Sequence, residues 1–111
     1  MITQKTFNIK PLSINKAFQG RRFRTKDYKD YLDSLHLLGG KFDTIKGDVA
    51  VTIEWYLKNN KMTDIDNPIK CLLDYLTKAN AFEDDRKIVE LHVYKYNAKK
   101  DDYFNVTISK I

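Results

Sequence analysis

Between Gly47 and Lys58 apolar side chains occupy every second position: Val49, Val51, Ile53, Trp55 and Leu57, with Ala50, Thr52, Glu54 and Tyr56 between them. A two-residue period sends the two sets to opposite faces of a strand, so this segment is predicted to bury one face and leave the other mixed. Thr3 to Lys10 reads as a strand with Phe7 and Ile9 on one face, and Pro11 to Arg24 as a loop. Tyr28, Tyr31, Leu32, Leu35 and Leu38 then recur at the three-and-four spacing of a helix running from Lys26 to about Leu38, capped by Thr25 and ended by Gly39-Gly40. A second helix is expected from Pro68 to about Ala79, with Ile69, Leu72, Leu73 and Leu76 as its buried stripe, Asn67 as N-cap and Asn80 as its stop. Strands from about Ile88 to Tyr96 and from Tyr103 to Ile111 follow, and the polar turn between them predicts a hairpin. These elements predict one α+β domain over residues 1–111, a mixed sheet of about four strands with two packed helices.

Composition narrows the class of partner. A hydrophobic content of 42% argues against disorder, and 20 Lys+Arg against 15 Asp+Glu leaves a net charge of +5. A basic balance favours an anionic partner such as nucleic acid. The single cysteine, Cys71, cannot form an internal disulfide and reads as a small buried hydrophobe. The chain opens without the apolar core of a signal peptide, and no apolar run approaches the length of a membrane span, so a soluble, intracellular (cytoplasmic) protein with no membrane association is expected.

The chemistry concentrates at Asp64-Ile65-Asp66-Asn67-Pro68-Ile69-Lys70. If Asn67 caps the helix, Asp64 and Asp66 are not needed for capping, and two carboxylates two residues apart repel each other. Lys70 falls in the first turn, where the helix dipole disfavours a cation by roughly 0.3–1 kcal/mol. Both oddities make sense where a cation and phosphates gather. Glu83-Asp84-Asp85 follows some twenty residues later, a distance at which the intervening helix can fold the two acidic segments together. Taken alone, either segment is an ordinary solvated loop; the conjunction is what suggests a site. Such carboxylates suit Mg²⁺ or Mn²⁺, whereas zinc is poorly served by one cysteine and the isolated His36 and His92. In a basic protein that points to phosphoryl chemistry on nucleic acid.

At these residues the sequence resembles the RusA family of Holliday junction resolvases. The resemblance is carried by Asp64-x-Asp66-Asn67-x-x-Lys70, by Leu73-Asp74-x-Leu76 and by Asp84-Asp85, with a weaker match at Pro11-Leu12-Ser13-x-Asn15. It implies Asp64, Asp66 and Asp85 as ligands of a divalent metal and Lys70 as a lysine needed for catalysis. It further implies a Mg²⁺-dependent homodimer that cuts four-way DNA junctions symmetrically. Such proteins are common in phages and prophages.

The densest basic patch is Arg21, Arg22 and Arg24 with Lys16 and Lys26, and phosphate contact is its functional reading. Asn15 and Lys70 join this candidate DNA-binding set, while Phe23 reads as buried rather than as a base-stacking group. Lys95, Lys99 and Lys100 read as a solvated hairpin tip, Glu54 on the mixed face of the central strand as a candidate to support the metal from behind its direct ligands, and Asp74 and Arg86 as partners of their neighbours. The sequence points to a junction-resolving endodeoxyribonuclease. Its rivals are a nuclease for flaps or other branched DNA and a DNA-binding protein without catalysis.

Overall fold

The computed structural model describes residues 1–13, 18–19 and 23–111, with backbone alone at 18, 19, 23, 24 and 62. Four strands, β1 (Ile2–Phe7), β4 (Val49–Leu57), β5 (Ile88–Asn97) and β6 (Tyr103–Lys110), form one sheet in the order β1-β6-β4-β5. β6 runs antiparallel to both β1 and β4, whereas β4 and β5 are parallel. The parallel pair requires a crossover, supplied by helix α2 (Ile69–Lys78). Helix α1 (Lys26–Gly39) packs against β1 and α2. The mixed sheet with two helices is as the sequence predicts. Two short strands, β2 (Phe18–Gln19) and β3 (Phe23–Arg24), pair within the segment expected to be loop throughout.

The predicted hairpin between the last two strands does not form. β6 instead inserts between β1 and β4, on the far side of β4 from β5. The connection crosses the end of β4, where the Ala98 N–H donates to the Leu57 carbonyl at 3.1 Å and the Lys58 N–H to the Asp102 carboxylate at 2.7 Å. Turn chemistry cannot distinguish this from a hairpin, since five residues reach roughly 16 Å and two strand spacings need only about 10 Å. Burial decides it. β6 offers Phe104, Val106 and Ile108 to the core, all buried, while β5 has no buried residue and takes the edge.

The alternation in β4 is obeyed at every position, with Val49, Val51, Ile53, Trp55 and Leu57 buried against the helices. Trp55 meets Phe104 edge-on at 5.0 Å between ring centroids, and Phe104 stacks on Phe7 at 5.2 Å. Cys71, Leu72, Tyr75 and Leu76 close the core from α2, and Tyr28, Tyr31, Leu32 and Leu35 from α1. Leu38, expected in that stripe, is 47% exposed, because the buried stripe continues from Leu35 to Gly39, four residues on, and Leu38 falls beside it. Thr25 caps α1 as predicted, accepting from the Tyr28 N–H at 3.2 Å. Gly40 follows α1 at φ 64, and Gly39 lies so close beneath the Tyr75 hydroxyl that any side chain there would collide with it.

Burial pushes the Cys71 thiol up to about 11 and the Tyr75 hydroxyl up to about 12, and raises Tyr31 as well, with the nearby Cys71 as a second cause. These groups ionise more readily unfolded than folded. Their contribution to stability is therefore complete below their ordinary values of 9.0 and 10.0 and is lost as pH rises through the folded ones. Thermal melts at pH 8 and pH 11 are expected to show a lower Tm at pH 11; equal values would mean that these groups ionise without unfolding.

Candidate active site

The acidic segment lies on the helix-bearing side of the sheet, held at its backbone by side chains from two strands. Trp55, on the buried face of β4, donates its indole N–H to the Ile65 carbonyl at 3.1 Å. Lys95 of β5 donates its ammonium to the Asn60 and Thr63 carbonyls at 2.9 and 2.8 Å, gripping the 3₁₀ turn Asn60–Met62 and the residue before Asp64. The Ile69 N–H then closes a turn onto the Asp66 carbonyl at 3.0 Å, from which α2 starts. Both aspartate side chains remain exposed.

Asn67 is not the N-cap. Pro68 occupies that position at φ −84 and ψ −4 without a side-chain cap, and the Asn67 amide donates to the Asp64 carboxylate at 3.0 Å. The turn closed by Asp66 satisfies the first helical N–H, which leaves Asn67 free to orient Asp64. Lys95 is likewise no part of a solvated tip; its carbonyl partners come from residues more than thirty positions away. Glu54 cannot serve the site, because it stands beside Tyr56 on the opposite face of the sheet from Trp55.

On α2, the Lys70 ammonium lies 3.6 Å from Asp74, whose other oxygen accepts from the Tyr28 hydroxyl at 3.0 Å. Asp84 caps the 3₁₀ turn Asp85–Lys87, accepting from the Arg86 N–H at 2.9 Å and pairing with the Arg86 guanidinium at 3.2 Å. The Arg86 backbone N–H, then a hydrogen bond from Asp85, then the guanidinium hold Asp84 down at about 2. Asp85 is displaced upward: its hydrogen bond with Asp84 comes first, then desolvation, then the negative charges of Asp84 and Asp74. Lys70, Asp74, Asp84 and Asp85 thus share one neighbourhood, while Asp64 is tied to Asn67. Among the described residues, no three Asp, Glu, His or Cys side chains stand close enough to hold one ion.

A cleft of about 690 Å³ opens beside Asp64 and Asn67, walled by Ile9–Ser13 and by Asp27, Asp30 and Tyr31 of α1. No local pattern announces it, since its walls come from three distant segments. Of the residues singled out for DNA, Asn15, Lys16, Arg21 and Arg22 lie outside the described residues, as does the Arg24 side chain. The Phe23 side chain lies outside them too, and Lys26 is exposed at the head of α1.

Carboxylates and a lysine gathered around the head and flank of one short helix, on a small basic α+β fold, mark a candidate phosphodiester-cleaving protein. The sequence model of the family described as "Endodeoxyribonuclease RusA" matches residues 13–109, and the chain belongs to that family. Among characterised relatives it is 28% identical over 108 residues to the crossover junction endodeoxyribonuclease of Enterobacteria phage 82, covering 91% of this chain and 89% of that protein. It is 38% identical over 55 residues to the crossover junction endodeoxyribonuclease of Aquifex aeolicus, covering 50% of this chain and 44% of that protein. The chain therefore spans less than half of the Aquifex protein. No helix is long and apolar enough to cross a membrane among the described residues.

Proposed function

We propose that the chain is an endodeoxyribonuclease that resolves four-way DNA junctions by symmetric paired nicks, acting as a homodimer with Mg²⁺ or Mn²⁺. The observation that carries this reading is the family match across residues 13–109, with the Asp64-x-Asp66-Asn67-x-x-Lys70 pattern placed at the head of α2. Asp64, Asp66 and Asp85 are the intended ligands. Their donor chemistry suits a hard divalent cation, carboxylate oxygens only, exposed, with Asp74 and Asp84 adding further negative charge near Asp85, although the three do not stand within reach of one ion in this structure. When bound, such an ion supplies an activated water and neutralises charge on the scissile phosphate.

The remaining work belongs to the chain. Asn67 orients the Asp64 carboxylate, and Trp55 and Lys95 fix the backbone on either side of it. Lys70, more than half exposed and loosely paired with Asp74, is able to swing its ammonium onto a phosphate oxygen. Asp74, held by Tyr28, keeps Lys70 nearby until substrate arrives. The basic residues Lys16, Arg21, Arg22, Arg24 and Lys26, with Asn15, supply contacts to the DNA backbone.

Incubating the purified protein with a labelled four-way junction, with and without Mg²⁺, and mapping the nicks tests this directly. Paired nicks at symmetry-related positions, abolished by EDTA, are expected. Faster cutting of flaps would transfer the assignment to other branched DNA, and binding without products on any substrate would end the enzymatic reading. Lys95→Met is expected to reduce cleavage by about 10–100-fold, the usual cost of losing a group that orients a metal ligand. Junction binding is expected to hold, and Lys95→Arg to recover part of the loss. Full activity in Lys95→Met, measured by single-turnover cleavage, would show that the loop holds itself.

A further inference from the structure

The cleft beside Asp64 and Asn67 is more than a hollow next to a metal site. At about 690 Å³ it is as large as a small-molecule pocket, which holds roughly 300–1,000 Å³. Its lining is of two kinds. Leu12 and Pro68 supply apolar wall, while Asp27, Asp30, Tyr31 and Ser34 reach it from one face of α1, at three- and four-residue spacing. Asp27, Asp30 and Ser34 have no side-chain partner among the described residues. The Tyr31 hydroxyl, on a side chain only 5% exposed, has no acceptor for its proton among them either. The helix therefore turns polar groups toward the cleft that the fold itself leaves unused.

Charge and hydrogen bonding decide which part of a nucleotide belongs there. A phosphate is repelled, because among the described residues lining the cleft Asp27, Asp30 and Asp64 outnumber Lys10. The deoxyribose offers these carboxylates no donor, since both of its hydroxyls are esterified along the strand. The base remains. It is flat, apolar on its two faces, and carries at its edge the N–H groups that an aspartate accepts. A paired base cannot bring that edge into a cleft walled by three segments of the chain, so the base has to leave its partner first.

We infer, on the strength of the nuclease reading above, that the cleft takes one unpaired nucleobase from the strand being cut, its faces against Leu12 and Pro68 and its N–H edge on Asp27 and Asp30. Because Asp64 and Asn67 line the same cleft, a seated base holds the neighbouring phosphate beside the acidic loop. The pocket also supplies a reason to prefer branched DNA. Extruding a base costs least where its pairing is already disturbed, and strands exchange partners at a branch point.

2-Aminopurine, a fluorescent base that is dim when stacked in a duplex, reports the event without cleavage. Four-way junctions carrying one such base at successive positions around the crossover are mixed with the full chain in EDTA. Binding is expected to brighten one position severalfold while its neighbours stay dim. Asp30→Ala, at an exposed position of α1, is expected to lose most of that signal and, with Mg²⁺ restored, to slow single-turnover cleavage about tenfold or more, the usual worth of a hydrogen bond to a charged group. Gel-shift affinity should hold, since contacts to the DNA backbone dominate it. Ser34→Trp, which fills the cleft, should lose the signal too, and both variants should keep a cooperative thermal melt. Junction binding that brightens no position overturns the proposal. So does a signal that survives both variants, which would place the unpaired base elsewhere. A chain that brightens one position through Asp30 but never cuts with Mg²⁺ supports the pocket and removes the nuclease reading; one that cuts without brightening removes the pocket alone; and one that binds no junction removes both.

Discussion

Asp66→Asn is expected to lower junction cleavage by more than about 100-fold while leaving junction binding unchanged. Asparagine has the same shape but no charge, and a hard divalent ion loses most of its attraction to that position. Changes to groups that merely orient a ligand already cost about 10–100-fold, so loss of a ligand's charge should exceed that range. The local fold should survive, because Asp66 serves it only through its backbone carbonyl, which accepts from Ile69, and its side chain is exposed. Binding should survive as well, since affinity is dominated by cationic contacts to the DNA backbone. Single-turnover cleavage and a gel-shift titration separate the two effects. Undiminished cleavage in the variant would remove Asp66 from the ligand set.

The second large effect is on stability. Trp55→Ala is expected to cost about 3–5 kcal/mol, the range for emptying a buried large aromatic position. Trp55 is fully buried, lies edge-on against Phe104 and sits on the central strand, so little can collapse into the space it leaves. Against a total stability of the order of 5–15 kcal/mol, that loss brings the chain near its folding threshold. Urea denaturation monitored by far-UV circular dichroism measures it. Trp55→Phe refines the prediction: an aromatic ring remains, but the N–H that holds the Ile65 carbonyl is gone. That variant should stay folded and still lose cleavage, because the loop between Asp64 and Asp66 is no longer pinned. A fully active Trp55→Phe would leave Trp55 with a packing role alone.

How far the molecule was legible depended on the range of the interaction concerned. The two-residue alternation of β4 and the helical stripe beginning at Tyr28 are local periodicities, and the structure follows them almost residue for residue. The acidic and lysine pattern from Asp64 to Lys70 was legible for a different reason: its residue types are mutually unfavourable unless chemistry requires them. Asn67 was misplaced because two adjacent residues, Asn67 and Pro68, can each begin a helix. The choice between them was made by the turn from Asp66 to Ile69 and by the partner waiting at Asp64. Lys95 carried no signal, since a lysine two residues from a strand end looks the same whether it points to water or to a carbonyl.

By itself the sequence determined the four long strands and two helices, the buried faces of β4, β6 and most of the helical stripes, and the pairing of hard carboxylates with a lysine, because these depend on backbone periodicity and on the charge of neighbours along the chain. Tertiary structure alone decided that β6 enters between β1 and β4 and so does not pair with β5, that Trp55 and Lys95 hold the acidic loop, and that Glu54 faces away from it. Those outcomes depend on which apolar faces compete for one core and which distant carbonyls come within reach of a donor. Such competition is settled only when the whole chain closes on itself.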